Sequence, residues 1–157
     1  MLKRYLIIFA TLVVATAGAY GYYAYIKAHS TLSNEALVRI TVASFGDALQ
    51  EVPLVAKLDI VAFAMDKYYS YYIHPDLLEK WKKDPLHAPG RLTSSPWPDR
   101  IDITSTTKNA DGTYTIDAGI VEVVNGKTGF TVADTIPVRF VLTMGPDGWQ
   151  ITDYKKL

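Results

Sequence analysis

The apolar period changes once along this chain, and the change constrains what it can fold into. From Ser33 to Lys83 hydrophobic residues recur every three or four positions; beyond Asp99 they alternate. Side chains repeat every 3.6 residues on a helix and every two on a strand, so helices come first and strands second. That order predicts an α+β domain rather than an interleaved α/β fold.

Ser33 is a candidate N-cap, with Glu35 in the first turn where it complements the helix dipole. Leu37, Thr41, Ser44 and Ala48, beside Val38, Val42, Phe45 and Leu49, keep helical spacing. Pro53 suits the first turn of a second helix carrying Leu54, Leu58, Val61, Met65, Tyr68 and Tyr72, or else kinks one long helix. A third, short helix is predicted over 75–83, with lysines in its last turn and Asp84-Pro85 ending it. The run from Pro85 to Asp99 is rich in breakers and long for a connection, as functional loops often are; Leu92 and Trp97 predict that it packs down.

Beyond Asp99, Ile101 and Ile103 alternate, and Asn109-Ala110-Asp111-Gly112 supplies a turn into Tyr114, Ile116, Ala118 and Ile120. Pairing Lys108 with Thr113 sets Ile103 against Ala118 and Ile101 against Ile120. Asn125-Gly126 marks the next reversal. Val138, Phe140, Leu142 and Met144 then alternate, with Pro137 at the start or edge of the strand. After Gly145-Pro146-Asp147-Gly148, Trp149 returns opposite Met144 and Ile151 opposite Leu142.

Ahead of this domain the chain is uncharged from Tyr5 to Ile26. Such a run rises roughly 33 Å as a helix, enough for a hydrocarbon core of about 30 Å. Lys3 and Arg4 precede it, so the positive-inside rule reads residues 1–4 as a cytoplasmic tip, 5–26 as a single-pass anchor, 27–32 as a linker and 33–157 as an extracytoplasmic domain. A cleaved signal peptide is the alternative, because Ala17-Gly18-Ala19 fits a small-x-small cleavage site and would release a secreted product. Tyr20, Tyr22, Tyr23, Tyr25 and Ile26 extend the apolar character past that site and favour the anchor.

The chain has 16 basic and 16 acidic side chains; Lys3, Arg4 and Lys27 flank the segment, leaving 13 against 16 in the domain, a net charge near −3. Without a basic patch, nucleic acid is not expected as a partner. The absence of cysteine excludes a lipid anchor on that residue, disulfides and thiolate metal sites. Three scattered histidines supply no metal spacing, and Asp111-Gly112, Asn125-Gly126 and Asp147-Gly148 read as hairpin turns rather than phosphate cradles, so neither metal nor cofactor is expected.

Helices followed by a meander, with Met65 to Tyr69, Ile73-His74-Pro75-Asp76-Leu77-Leu78, the Pro89-to-Pro98 loop and the ending Pro137 to Tyr154, resemble the nuclear transport factor two-like superfamily. The resemblance is architectural and covers about Ser33 to Leu157. It implies a cone: two or three helices packed on a curved antiparallel sheet of about four strands. Its look-alikes include membrane-anchored extracytoplasmic domains, one of them in bacterial conjugation machinery. Enzymes of that superfamily place an Asp or His base and a Tyr or Asp donor inside the cone.

Asp102 is also among the candidate acids and bases, and the others have humbler roles open to them: His74 as a helix cap, His87 as a solvated loop residue, Asp117 and Asp153 at strand ends or on the outer sheet face. No pair has catalytic spacing, so no catalytic residue is assigned. Tyr68, Tyr69, Tyr71 and Tyr72 surround the whole helix, so some must leave the main core. They line the mouth of the cone or supply an interface, or else pack under the breaker loop onto Trp97. With His74, Trp81, Arg91, Trp97 and Arg100 they form the candidate surface, Arg91 and Arg100 pinning the loop. Lys80, Lys82 and Lys83 beside Trp81 suit an anionic lipid or acidic partner, or are a solvated helix end. The expected function is a non-catalytic, membrane-tethered domain that binds another envelope protein, or a second copy of itself. The alternative is a small apolar ligand, or an acid–base enzyme, using an enclosed pocket with a buried carboxylate or histidine.

Overall fold

Val38, Val42 and Phe45 fall on one face of a helix because they are spaced by four and three, and all three are buried in α1 (Asn34–Ala48). In the computed structural model the described residues are 32–157. The anchor at 5–26, the tip at 1–4, the cleavage site after Ala19 and nearly all of the linker at 27–32 lie outside them. Among the described residues no helix is long and apolar enough to cross a membrane.

The apolar stripe of α1 continues through Leu49 in a 3-10 turn (Leu49–Glu51). Then α2 (Leu58–Tyr68) and α3 (Pro75–Lys83) follow, with a second 3-10 turn at Pro85–His87. The strands are β1 (Trp97–Lys108), β2 (Tyr114–Gly126), β3 (Gly129–Gly145) and β4 (Gly148–Lys156). They form one antiparallel sheet in the order β1-β2-β3-β4. The fold is therefore α+β, three α-helices packed on a four-stranded meander. α1 lies chiefly against β1, and α3 against α2 and β4.

Pro53 neither opens nor kinks a helix. It bridges to Arg91 instead: Leu54 N–H donates to Arg91 O at 2.9 Å and Arg91 N–H donates to Val52 O at 3.0 Å. The breaker loop is thus sewn to the segment after α1 by backbone, and α2 starts only at Leu58 with Lys57 as its cap. It also ends early. Tyr69 is its C-cap, and the chain turns so that His74 N–H reaches Ile151 O at 2.9 Å and Ile151 N–H reaches Tyr72 O at 2.8 Å. α3 begins as expected: His74 accepts from Asp76 N–H at 3.3 Å and Pro75 fills the first turn, where a missing N–H costs nothing.

In the sheet, Ile103 pairs with Ala118 and Ile101 with Ile120, as the alternation predicts. The turn end differs. Asn109 N–H donates to Thr113 O at 2.9 Å, so Lys108 pairs with Tyr114, and a bulge between Ile103 and Ser105 absorbs the extra residue. The strand begins at Trp97 rather than after Asp99, and an edge strand tolerates Pro98 there. The second reversal lies at Lys127-Thr128, not at Asn125-Gly126, since Gly126 pairs with Gly129. β3 is consequently long, and Pro137 sits in its middle. Pro137 O accepts from Leu157 N–H at 2.9 Å, so its nitrogen faces the side where β4 pairing ends, and no ladder bond is lost. Met144 pairs with Trp149 and Leu142 with Ile151 as expected.

Between helices and sheet the interior is filled by aromatic rings. Phe45 meets Tyr69 at 4.9 Å, Phe140 at 6.2 Å and Trp81 at 6.3 Å between centroids, and Tyr154 meets Phe140 at 5.5 Å and Trp81 at 5.8 Å. These are the offset and edge-to-face separations that rings favour.

Candidate interaction surface

The space where the alternative reading placed a ligand is this aromatic cluster. Gln150 is the buried polar residue among the described residues, and no carboxylate or histidine is buried among them. The residues considered for acid–base work lie outside. His87 is exposed and 2.8 Å from Asp84, Asp102 pairs with Arg100, and Asp153 is exposed. Asp117 lies across the sheet from Arg139, whose Nε and Nη2 donate at 2.6 and 3.0 Å, and that guanidinium holds its carboxyl below the usual value. Among the described residues no group of His, Asp or Glu is placed to hold a metal ion. Among the described residues these groups lie at or near the surface, and His87, Asp102 and Asp117 each have an ion-pair neighbour there.

The nine candidate surface residues do not form one surface. Tyr69 is fully buried: its hydroxyl donates to Pro89 O at 2.8 Å, and desolvation pushes its pKa well up. It does pack under the breaker loop, and so closely that a Cβ on Gly90 would stand 2.9 Å from its oxygen. The loop's Trp97 is elsewhere, edge-on to Phe130 of β3 at 5.5 Å, so the tyrosines do not pack onto it. His74 is a cap. Arg100 is held by Asp99 and Asp102, neighbours on its own strand, at 2.9 and 3.0 Å. Arg91 pins the loop by backbone, not by its guanidinium.

The remaining candidate residues line several open grooves. In the first, of about 290 Å³, α1, the turn after α2 and the β3–β4 hairpin bring together Leu37, Ile40, Tyr71, Tyr72, Met144 and Trp149. Tyr71 is 77% exposed and edge-on to Tyr72 at 5.3 Å. Ile40 and Met144 are exposed beside it, and the Trp149 indole N–H is buried without an acceptor among the described residues. Ser44, Tyr71 and Tyr72 also line an adjoining groove with Glu51, Lys67 and Tyr68, where Lys67 Nζ lies 4.7 Å from the centre of the Tyr68 ring. The second groove, of about 450 Å³, sets Arg91 and Trp97 beside Gln50, Glu51 and Phe130. The third, of about 600 Å³, runs between α3 and the end of β4, over Leu77, Trp81, Leu86 and Tyr154.

Ile40, Met144, Leu86, Phe130, Lys155 and Lys156 were not among the expected residues. Phe130 and Val132 alternate like a strand, a signal hidden by reading the reversal at Asn125-Gly126. Lys155-Lys156 lies one step past Tyr154 in sequence, but only the fold sets it beside Lys80.

No protein-family model matches the chain, and no curated protein matches it. Among solved structures it is similar to the intermembrane space region of chloroplast protein ARC6, with 14% identity over 76% of this chain and 91% of that one, at a TM-score of 0.41. A likeness at that level carries no argument about family or function.

Proposed function

We propose that this chain is a non-catalytic interaction domain of the nuclear transport factor two-like type, held to a membrane by residues 5–26, with a cytoplasmic N-terminus and an extracytoplasmic domain from 33 onward, and that it binds another envelope protein. The observation that carries this reading is Tyr71. A large aromatic ring left 77% exposed beside exposed Ile40 and Met144 makes an apolar patch on a concave surface. Tyr is favoured at interfaces because it offers contact area with a polar tip and few rotatable bonds. The anchor rests on the uncharged length of 5–26, and the cone on helices followed by a meander.

The test is native mass spectrometry of the full chain extracted from its own membrane, with Tyr71→Ala beside it. An intact mass with a co-purifying protein, lost in Tyr71→Ala at unchanged Tm, supports the proposal. A mass beginning after Ala19 replaces the anchored reading with a secreted one. Partner contacts unchanged by Tyr71→Ala sink the role of this patch.

A further inference from the structure

The domain is net negative, yet cations gather at one place on it. Along the groove between α3 and β4, Lys80, Lys155 and Lys156 line a floor made by Leu77, Trp81 and Tyr154. Among the described residues none of these three lysines holds an ion pair, while Lys82, on the same helix, is taken up by Asp66 at 2.8 Å and by Glu79. The one carboxylate in the groove, Asp84, is engaged by His87. The site is therefore positive and apolar together.

We infer that this groove is the docking site for an acidic peptide segment of a partner protein, one apolar side chain seated on Trp81 and Leu86 and flanking carboxylates reaching the lysines. This rests on the interaction-domain reading above and names the chemistry of one partner contact. Charge complementarity selects an acidic occupant. Shape selects a peptide. Trp81 is only 4% exposed at the bottom of the groove, out of reach of a flat bilayer surface, whereas Leu86, 62% exposed, leaves a side against which an inserted side chain packs. The trough lies open to solvent along its length, as an extended segment needs, and a lone acyl chain would stay half wetted there.

The probe is acetyl-Glu-Leu-Glu-Phe-Glu-Leu-amide, titrated by NMR into the isotope-labelled full chain in nanodiscs of neutral lipid. The expected result is movement of the Trp81 indole N–H and of the Leu86 and Lys156 amides. Affinity should fall about tenfold or more in Lys80→Glu/Lys156→Glu, and fall with rising salt. Both lysines are exposed, so signals elsewhere should keep their positions; Leu86→Ala serves as an independent, charge-neutral weakening variant. Equal binding of the Lys-for-Glu peptide overturns the inference. So does occupation of the groove by dodecanoate but not by the peptide, movement of the same signals on anionic nanodiscs alone, or no binding at all. Tyr71→Ala should leave this titration untouched. Failure of the peptide with Tyr71-dependent capture intact defeats the acidic docking site alone. Capture indifferent to Tyr71, with the peptide still bound, defeats the Tyr71 patch alone.

Discussion

Among the described residues the Tyr154 hydroxyl is buried with no hydrogen-bond partner, and desolvation pushes its pKa up to about 12, so it stays protonated at ordinary pH. Tyr154→Phe removes a polar group that folding leaves unpaired, and stability measured by urea denaturation should hold or rise by up to about 1 kcal/mol. Tyr69→Phe should do the opposite: it deprives Pro89 O of its buried donor and costs about 1–3 kcal/mol. Nothing in Tyr68-Tyr69-Ser70-Tyr71-Tyr72 separates the buried ring from the exposed one, because identical residues differ only in what packs on them. The His74 cap was legible, since a polar residue before Pro75 has one local role to fill. Asp117 adds a pH dependence. Its carboxyl is lowered from 3.8, first by the Arg139 hydrogen bonds, against a raising effect of desolvation. The stability it contributes is present above the ordinary value and is lost as pH falls through the lowered one. The Tm difference between the protein and Asp117→Asn should be steady from neutral pH down to the ordinary carboxylate range and shrink as the pH falls below it.

At the scale of elements, α1 approaches β1 through Gly46, where a Cβ would stand 2.7 Å from the Ile101 backbone nitrogen. Backbone cannot step aside as a side-chain tip can, so Gly46→Ala should cost about 1–3 kcal/mol by urea denaturation, although alanine favours helix. Among the described residues the first half of β3 pairs only with β2, because β4 pairs from Val138 onward. Its free edge is guarded. Asp134 accepts from Thr135 N–H at 2.7 Å, a bulge interrupts the ladder between Glu122 and Val123, and Pro137 has no donor. Strand existence and facing registers were legible because a period of two allows one burial solution. The turn ends were not: whether Asn109 closes on Thr113, or Gly126 on Gly129, depends on loop hydrogen bonds that local composition does not specify.

At the scale of the molecule, Phe45 is the meeting point of α1, the turn after α2, α3 and β3, through Tyr69, Tyr72, Trp81 and Phe140. Phe45→Ala should cost about 3–5 kcal/mol and lower the tryptophan-fluorescence and far-UV transitions together, since one core serves every element. The sequence alone determined the α+β class, the helices-then-strands order, the facing registers of the first and last strand pairs and the capped third helix, all of which rest on residues close in the chain or on the alternation itself. Only the tertiary structure decided that Pro53 bridges to Arg91, that Tyr69 lies inside and Tyr71 outside, and that Lys80 and Lys156 line one groove. Each of those is a contact between distant segments. Its free energy depends on what surrounds the side chain in space, and local composition does not encode those surroundings.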